Sequence, residues 1–252
     1  MSQTILPSGK KVYMGLTHPG MIHFPFFNAM WTTHCQDREQ RGVLAAGPLA
    51  AEGHYAPDQA NKLVESFLAM PDGEWLWFVE YDHTFDVRVL YTLLDIADPK
   101  TRPIVGALYF VHLDNPDPTA QHHRVGPVFL VARSDGLYGT VEDIKLGKLY
   151  KVDVTGLGCT LVHRSVFETM RACYLAPWHW FGHDQGPDCV FGHDVTFFRR
   201  VGACGIPVFG YTGIVLPHIK KMNLGVAEFE AYEQEAARGR TDSVEDRERA
   251  VV

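Results

Sequence analysis

The chain has 252 residues, 46% of them hydrophobic and 21% charged, which suits one large globular domain with an ample core and excludes a disordered chain. Its formal net charge of -7 gives no overall attraction to nucleic acid. The five cysteines, Cys35, Cys159, Cys173, Cys189 and Cys204, are odd in number and never spaced as CxxC, which excludes a zinc ribbon, argues against a disulfide framework and points to a reducing cytoplasm. No apolar stretch approaches the roughly 20 residues needed to span a bilayer, and the opening MSQTILPSGKK lacks the apolar core of a signal peptide. The expectation is a chain without a membrane span, retained in the cytoplasm.

In chain order, KKVYMGLTHPG reads as a first strand ending in a turn at His18-Pro19-Gly20, followed by a helix from Ile22 to Cys35. PDQANKLVESFLAM spaces Leu63, Val64, Phe67 and Leu68 as a helix does, and Pro57-Asp58 is a start signal. Trp75-Leu76-Trp77-Phe78-Val79 is then aromatic and apolar enough for a strand buried on both faces, yet it runs directly into Glu80, Asp82 and His83. A charge there must reach water, a partner or a metal. VRVLYTLLDIAD is helical in period, and PIVGALYFV is again a buried strand, so the unit is β-α-β.

From Asp114 to Gly126 the chain is polar, with prolines and histidines, and reads as a surface loop or lid. PVFLVARSDG and KLYKVDVTGLGCTLVHRSVFETM follow, the latter a strand, a glycine turn, a second strand and a helix. A helix from Asp194 to Cys204 and a last pair of strands close at His218. The domain is expected to run over 3–224, with 225–252 forming a charged helix and a frayed tail.

Several residues carry candidate chemistry. Glu80 and Asp82 are two apart, so on a regular strand they point to one side and together suit a hard divalent cation; as loop residues each would merely cap or pair. His218, after GIVLP, is a ligand or a hydrogen-bonded loop residue. His193-Asp194 at a helix start is a base or ligand pair, or a helix cap favoured by the dipole. Gly156-Leu157-Gly158 is too short for a dinucleotide fingerprint, and GxxxxGK[ST] is absent from the sequence. In APWHWFGHDQGPD, Trp178 and Trp180 offer aromatic faces for a sugar or base, or anchor a packed loop.

The order of these segments resembles a nucleotide-sugar glycosyltransferase of the A-type fold, the class with a DxD metal motif. The likeness spans roughly Lys11 to His218. WLWFVEYDHTF, a helix and PIVGALYF stand where such proteins have an apolar strand, a DxD-like element, a helix and a strand. VDVTGLGCTLVHRSVFE is similar to the acceptor-side glycine segment. GHDVTFFRRVGACGIPVFGYTGIVLPHI is similar to the segment where a Glu-Asp pair opens a helix and a histidine closes the site. The chain departs from that pattern in having Glu80 for the first Asp, His193 for the Glu, and Ala60 where an Arg is usual.

The resemblance implies a single α/β sandwich with a mostly parallel central sheet, and transfer of a sugar from a nucleotide-sugar donor, UDP-linked by default, to an acceptor hydroxyl. It implies Mn²⁺ or Mg²⁺ on Asp82 and His218, with Glu80 a direct or water-mediated third ligand. It implies donor contacts from Thr17, His18 and Asn61 besides Glu80 and Asp82, acceptor contacts from Gly156, Trp178, Trp180 and His193, and Asp194 as the base. The acceptor is a glycan, a protein, a metabolite or a modified nucleobase. Two other classes fit the same residues: a metal-dependent hydrolase or non-haem iron enzyme built on the His and Asp groups, and a non-catalytic sugar-binding module.

Overall fold

A computed structural model describes residues 11–113, 124–174 and 178–220. The first strand, β1 (Lys11–His18), feeds α1 (Phe24–Glu39), whose Pro25 lies in the first turn, where its missing N–H costs nothing. The helix runs a full turn beyond the expected Cys35. A short strand that the sequence pattern did not announce, β2 (Leu49–Glu52), comes next; LAAE is too short and too alanine-rich to show a period. Helix α2 (Ala56–Leu68) and strand β3 (Gly73–Glu80) follow as expected. Helix α3 (Val87–Ile96) is capped by Asp86, whose side chain accepts from the Arg88 N–H at 2.9 Å.

The run PIVGALYFV is two strands, β4 (Ile104–Leu108) and β5 (Phe110–Leu113), broken at Tyr109. Then come β6 (Arg124–Pro127), β7 (Leu130–Ala132), β8 (Tyr138–Thr140), β9 (Leu149–Val152), β10 (Cys159–His163) and α4 (Arg164–Cys173). The hairpin β11 (Asp184–Gln185) and β12 (Val190–Phe191) precedes α5 (His193–Ala203). The expected final pair of strands is instead one strand, β13 (Val208–Val215), because Gly213 sits in a register irregularity between Tyr211 and Val215 and makes no hairpin turn. The expected lid from Asp114 and the expected terminal helix beyond Leu224 lie outside the described residues, apart from 124–126 of the lid, which fall in β6.

Seven strands form the central sheet in the order β2-β1-β3-β10-β4-β13-β9. Strands β1, β2 and β3 are parallel. Because β10 is antiparallel to both β3 and β4, β4 shares the direction of β3, and β13 is parallel to β4. Five strands therefore point one way, with β10 and β9 opposed, so the sheet is mixed and mostly parallel. The described residues from Lys11 to Ile219, Arg124 excepted, belong to one compact unit.

Adjacent aromatics on β3 reveal the two layers that cover the sheet. Trp77 meets Phe85, which touches Phe26 of α1, while Phe78 faces Phe167 of α4 and Phe181. Side chains alternate along a strand, so α1 and α3 lie on one face and α4 on the other. That double cover is why Trp75 to Val79 are all buried. The chain leaves such a strand at its carboxyl end, and there the charged residues begin.

Candidate functional site

Four chain segments meet at the carboxyl end of β3. Tyr81 and Asp82 form a turn after β3, and the His83 N–H donates back to the Glu80 carbonyl at 3.2 Å. Residues 217–219, just after β13, are zipped to this turn: Thr84 N–H donates to the Pro217 carbonyl at 3.3 Å and Ile219 N–H to the Asp82 carbonyl at 2.7 Å. Tyr109 enters from the end of β4, and Gly158 from the turn leading into β10.

The side chains of Asp82, His83 and His218 form a three-ligand cluster whose candidate ligand atoms all lie within 4.8 Å of one another. Asp82 Oδ2 is 3.1 Å from His218 Nε2, and Oδ1 is 3.2 Å from His83 Nδ1. The two imidazoles stack at 4.2 Å with 18° between planes. The Phe110 carbonyl, 2.8 Å from His218 Nδ1, can only accept, so Nδ1 carries a proton. His218 then turns either a lone pair or a second proton toward Asp82 Oδ2. The Nε2–Oδ2 contact is itself within hydrogen-bond distance, and a cation held by both side chains would take its place. Two neutral imidazoles and one carboxylate are a donor set that divalent transition metals accept, and a backbone acceptor fixing the far nitrogen is the usual support of a metal-bound histidine. The residues present fit a divalent cation.

Beside the cluster is a cleft of about 320 Å³, within the range of small-ligand sites. Thr17, His18, Glu80, Asp82 and His193, separated widely in sequence, all line it, joined by His54. Among the described residues that line it there is neither Lys nor Arg. The His193 imidazole is held below its ordinary pKa, first by burial and also by His183, against the opposing charge of Asp194. Burial, with the Glu80 and Asp194 charges adding, holds the Tyr109 phenol neutral well above its ordinary range.

The other expected residues are not among those that line the cleft. Asn61 is turned to the backbone of Phe181: its Nδ2 donates to the Phe181 carbonyl at 2.9 Å, and its Oδ1 accepts from the Phe181 N–H at 3.0 Å. It ties α2 to the loop before α5. Trp180 is buried, and its indole N–H donates to the Phe167 carbonyl at 3.1 Å. Trp178 stacks on Tyr174 at 5.5 Å and meets Trp180 edge-on. The aromatics of this loop are thus largely engaged in packing it. Gly156 is buried beneath Tyr109, where a Cβ would stand 1.8 Å from the phenol oxygen. Asp194 is the second residue of α5, and its Oδ1 accepts from the Val195 N–H at 2.8 Å.

His83 is the residue that pattern reasoning left without a role. On a continued strand it would point away from Asp82; the turn after Glu80 cancels that alternation. The adjacent Asp-His pair was the available signal.

No family model matches the sequence, and no curated protein matches it. Among solved structures, the crystal structure of A197 from STIV aligns over 84% of this chain and 86% of its own, at 17% identity and a TM-score of 0.49. GalNAc-T7, solved with UDP, GalNAc and Mn²⁺, aligns over 85% of this chain at 10% identity and a TM-score of 0.53. This chain spans 44% of that protein's length. The architecture is that of the glycosyltransferase A-type α/β fold. At such identities the likeness speaks for the fold alone.

Proposed function

We propose that this chain is a metal-dependent glycosyltransferase that moves a sugar from a nucleotide-sugar donor, UDP-linked as first choice, to an acceptor hydroxyl. The observation that carries the reading is the cluster of Asp82, His83 and His218 at the carboxyl end of β3, with the Phe110 carbonyl fixing the far nitrogen of His218. A fold shared with a protein solved with UDP and Mn²⁺ supports the donor class. Asp82, His83 and His218 would hold Mn²⁺ or Mg²⁺, and Glu80 at the cleft wall would act through water. When bound, the cation stabilises the negative charge that grows on a departing nucleoside diphosphate. Thr17 and His18 border the donor, His193 the acceptor. Asp194, the second residue of α5, takes the acceptor proton.

Thermal-shift screening of nucleotide sugars with and without Mn²⁺ tests the reading. Mn²⁺-dependent stabilisation by one donor is expected, and Asp82→Ala should abolish it with the fold intact. The same donor stabilising Asp82→Ala with Mn²⁺ as it does the parent would refute the site. The donor set itself favours a second reading, since two histidines and one carboxylate also serve non-haem iron enzymes and metal-dependent hydrolases. Stabilisation by Fe²⁺ or Zn²⁺ with indifference to every nucleotide would select that class.

A further inference from the structure

We propose that Tyr109 is a positioning residue whose buried ring sets the orientation of His83 and His218 toward Asp82. Its ring meets the His83 imidazole edge-to-face at 4.5 Å and 74°, and the His218 imidazole at 5.3 Å and 86°. A flat wall perpendicular to two stacked rings restricts both at once. Neither imidazole can rotate about its Cβ–Cγ bond without driving an edge into the phenol, in an interior packed to near-crystal density. The next residue acts on His218 as well, because the Phe110 carbonyl accepts a hydrogen bond from its Nδ1.

Tyr109 is itself braced. It is 4% exposed, and its hydroxyl oxygen accepts from the Gly158 N–H at 3.2 Å. Glycine is needed on both sides of that contact. A Cβ at Gly156 would fall 1.8 Å from Tyr109 Oη, and one at Gly158 would fall 2.5 Å from His83 Cε1 and 2.9 Å from Tyr109 Cζ. The Gly156-Leu157-Gly158 turn therefore lets backbone approach the phenol and the imidazole more closely than any other residue type permits. The position selects for a rigid ring at this depth; the hydroxyl fixes the ring, and the ring fixes the histidines.

This inference rests on the metal site and not on sugar transfer. Its test is Mn²⁺ binding, with no substrate present, to the full chain carrying Tyr109, Tyr109→Phe or Tyr109→Met, read by calorimetry, by Mn²⁺ electron paramagnetic resonance and by the melting-temperature gain that Mn²⁺ produces. The last readout is defined for a destabilised variant too. Tyr109→Phe keeps the ring and should bind within about threefold of the parent with the same spectrum. Tyr109→Met fills similar volume without a flat edge and should lose about 10–100-fold, the usual scale when an orienting partner of a metal ligand is removed, with a broadened spectrum and a smaller melting gain. Tyr109→Met matching the parent in affinity and spectrum would overturn the positioning role alone. A loss in Tyr109→Phe as large as in Tyr109→Met would overturn the role of the ring. A parent chain that takes up no Mn²⁺, Fe²⁺ or Zn²⁺ would overturn the metal site and this inference with it.

Discussion

Replacing Asn61 by Leu separates a donor contact from a structural clamp. Asn61 is 7% exposed and Phe181, whose backbone it holds, is 1% exposed. Leucine keeps the volume but deletes both hydrogen bonds, leaving the Phe181 N–H and carbonyl buried without their partner. Each such group costs about 1–3 kcal/mol. The two are neighbours and not additive, so a loss of about 2–5 kcal/mol is expected. For a chain of this size, each kcal/mol moves the melting temperature by about 2–4 °C, giving a fall of about 4–20 °C. Urea unfolding followed by tryptophan fluorescence, with a shared m-value, measures the change. Donor affinity in the folded variant, measured by calorimetry, should stay within a few-fold of the parent. A stability change below about 0.5 kcal/mol together with lost donor binding would refute the reasoning and restore Asn61 as a donor contact.

Further outcomes follow from particular groups. Asp194→Asn keeps shape and helix-capping ability but removes basicity; with a confirmed donor and acceptor it should bind Mn²⁺ and donor nearly as the parent does and turn over at least about a hundredfold more slowly. Turnover within a few-fold would make Asp194 a structural residue of the first turn of α5. Burial, with the hydrogen bond to Asp37 Oδ1 adding and the Arg41 N–H opposing, pushes the Tyr91 phenol up to about 12. Its unfolded value is about 10, so its contribution is complete below about pH 10 and is lost as pH rises toward 12. Tyr91→Phe should lack that part of the alkaline loss in urea titrations, and parallel curves for the two proteins would refute it. Gly158→Ala should weaken Mn²⁺ binding, because a methyl 2.5 Å from His83 Cε1 must push the ring by about 1 Å to reach ordinary contact at about 3.5 Å. Unchanged affinity in calorimetry would show that the turn gives way instead.

Most elements were legible from the chain alone, since helix and strand periods are local. Trp75 to Val79 announced a strand covered on both faces, and Glu80-Tyr81-Asp82-His83 announced that something polar waits at its end. The short β2 and the continuity of β13 were not legible: four residues show no period, and Gly213 signals a turn and an irregular strand equally well. The same limit applies to the site. That Asp82 faces His218 follows from the order β3-β10-β4-β13, which returns β13 three places from β3 and zips residues 217–219 to the turn after Glu80. That His83 joins them depends on the turn cancelling strand alternation. Asn61 and Trp180 resembled binding groups in sequence because side-chain type is local, but the partners of their polar atoms, the backbones of Phe181 and Phe167, are chosen by packing. Residue chemistry and spacing determined which groups are available, whereas the direction each one faces depends on contacts between segments far apart in the chain, and those exist only once the sheet is assembled.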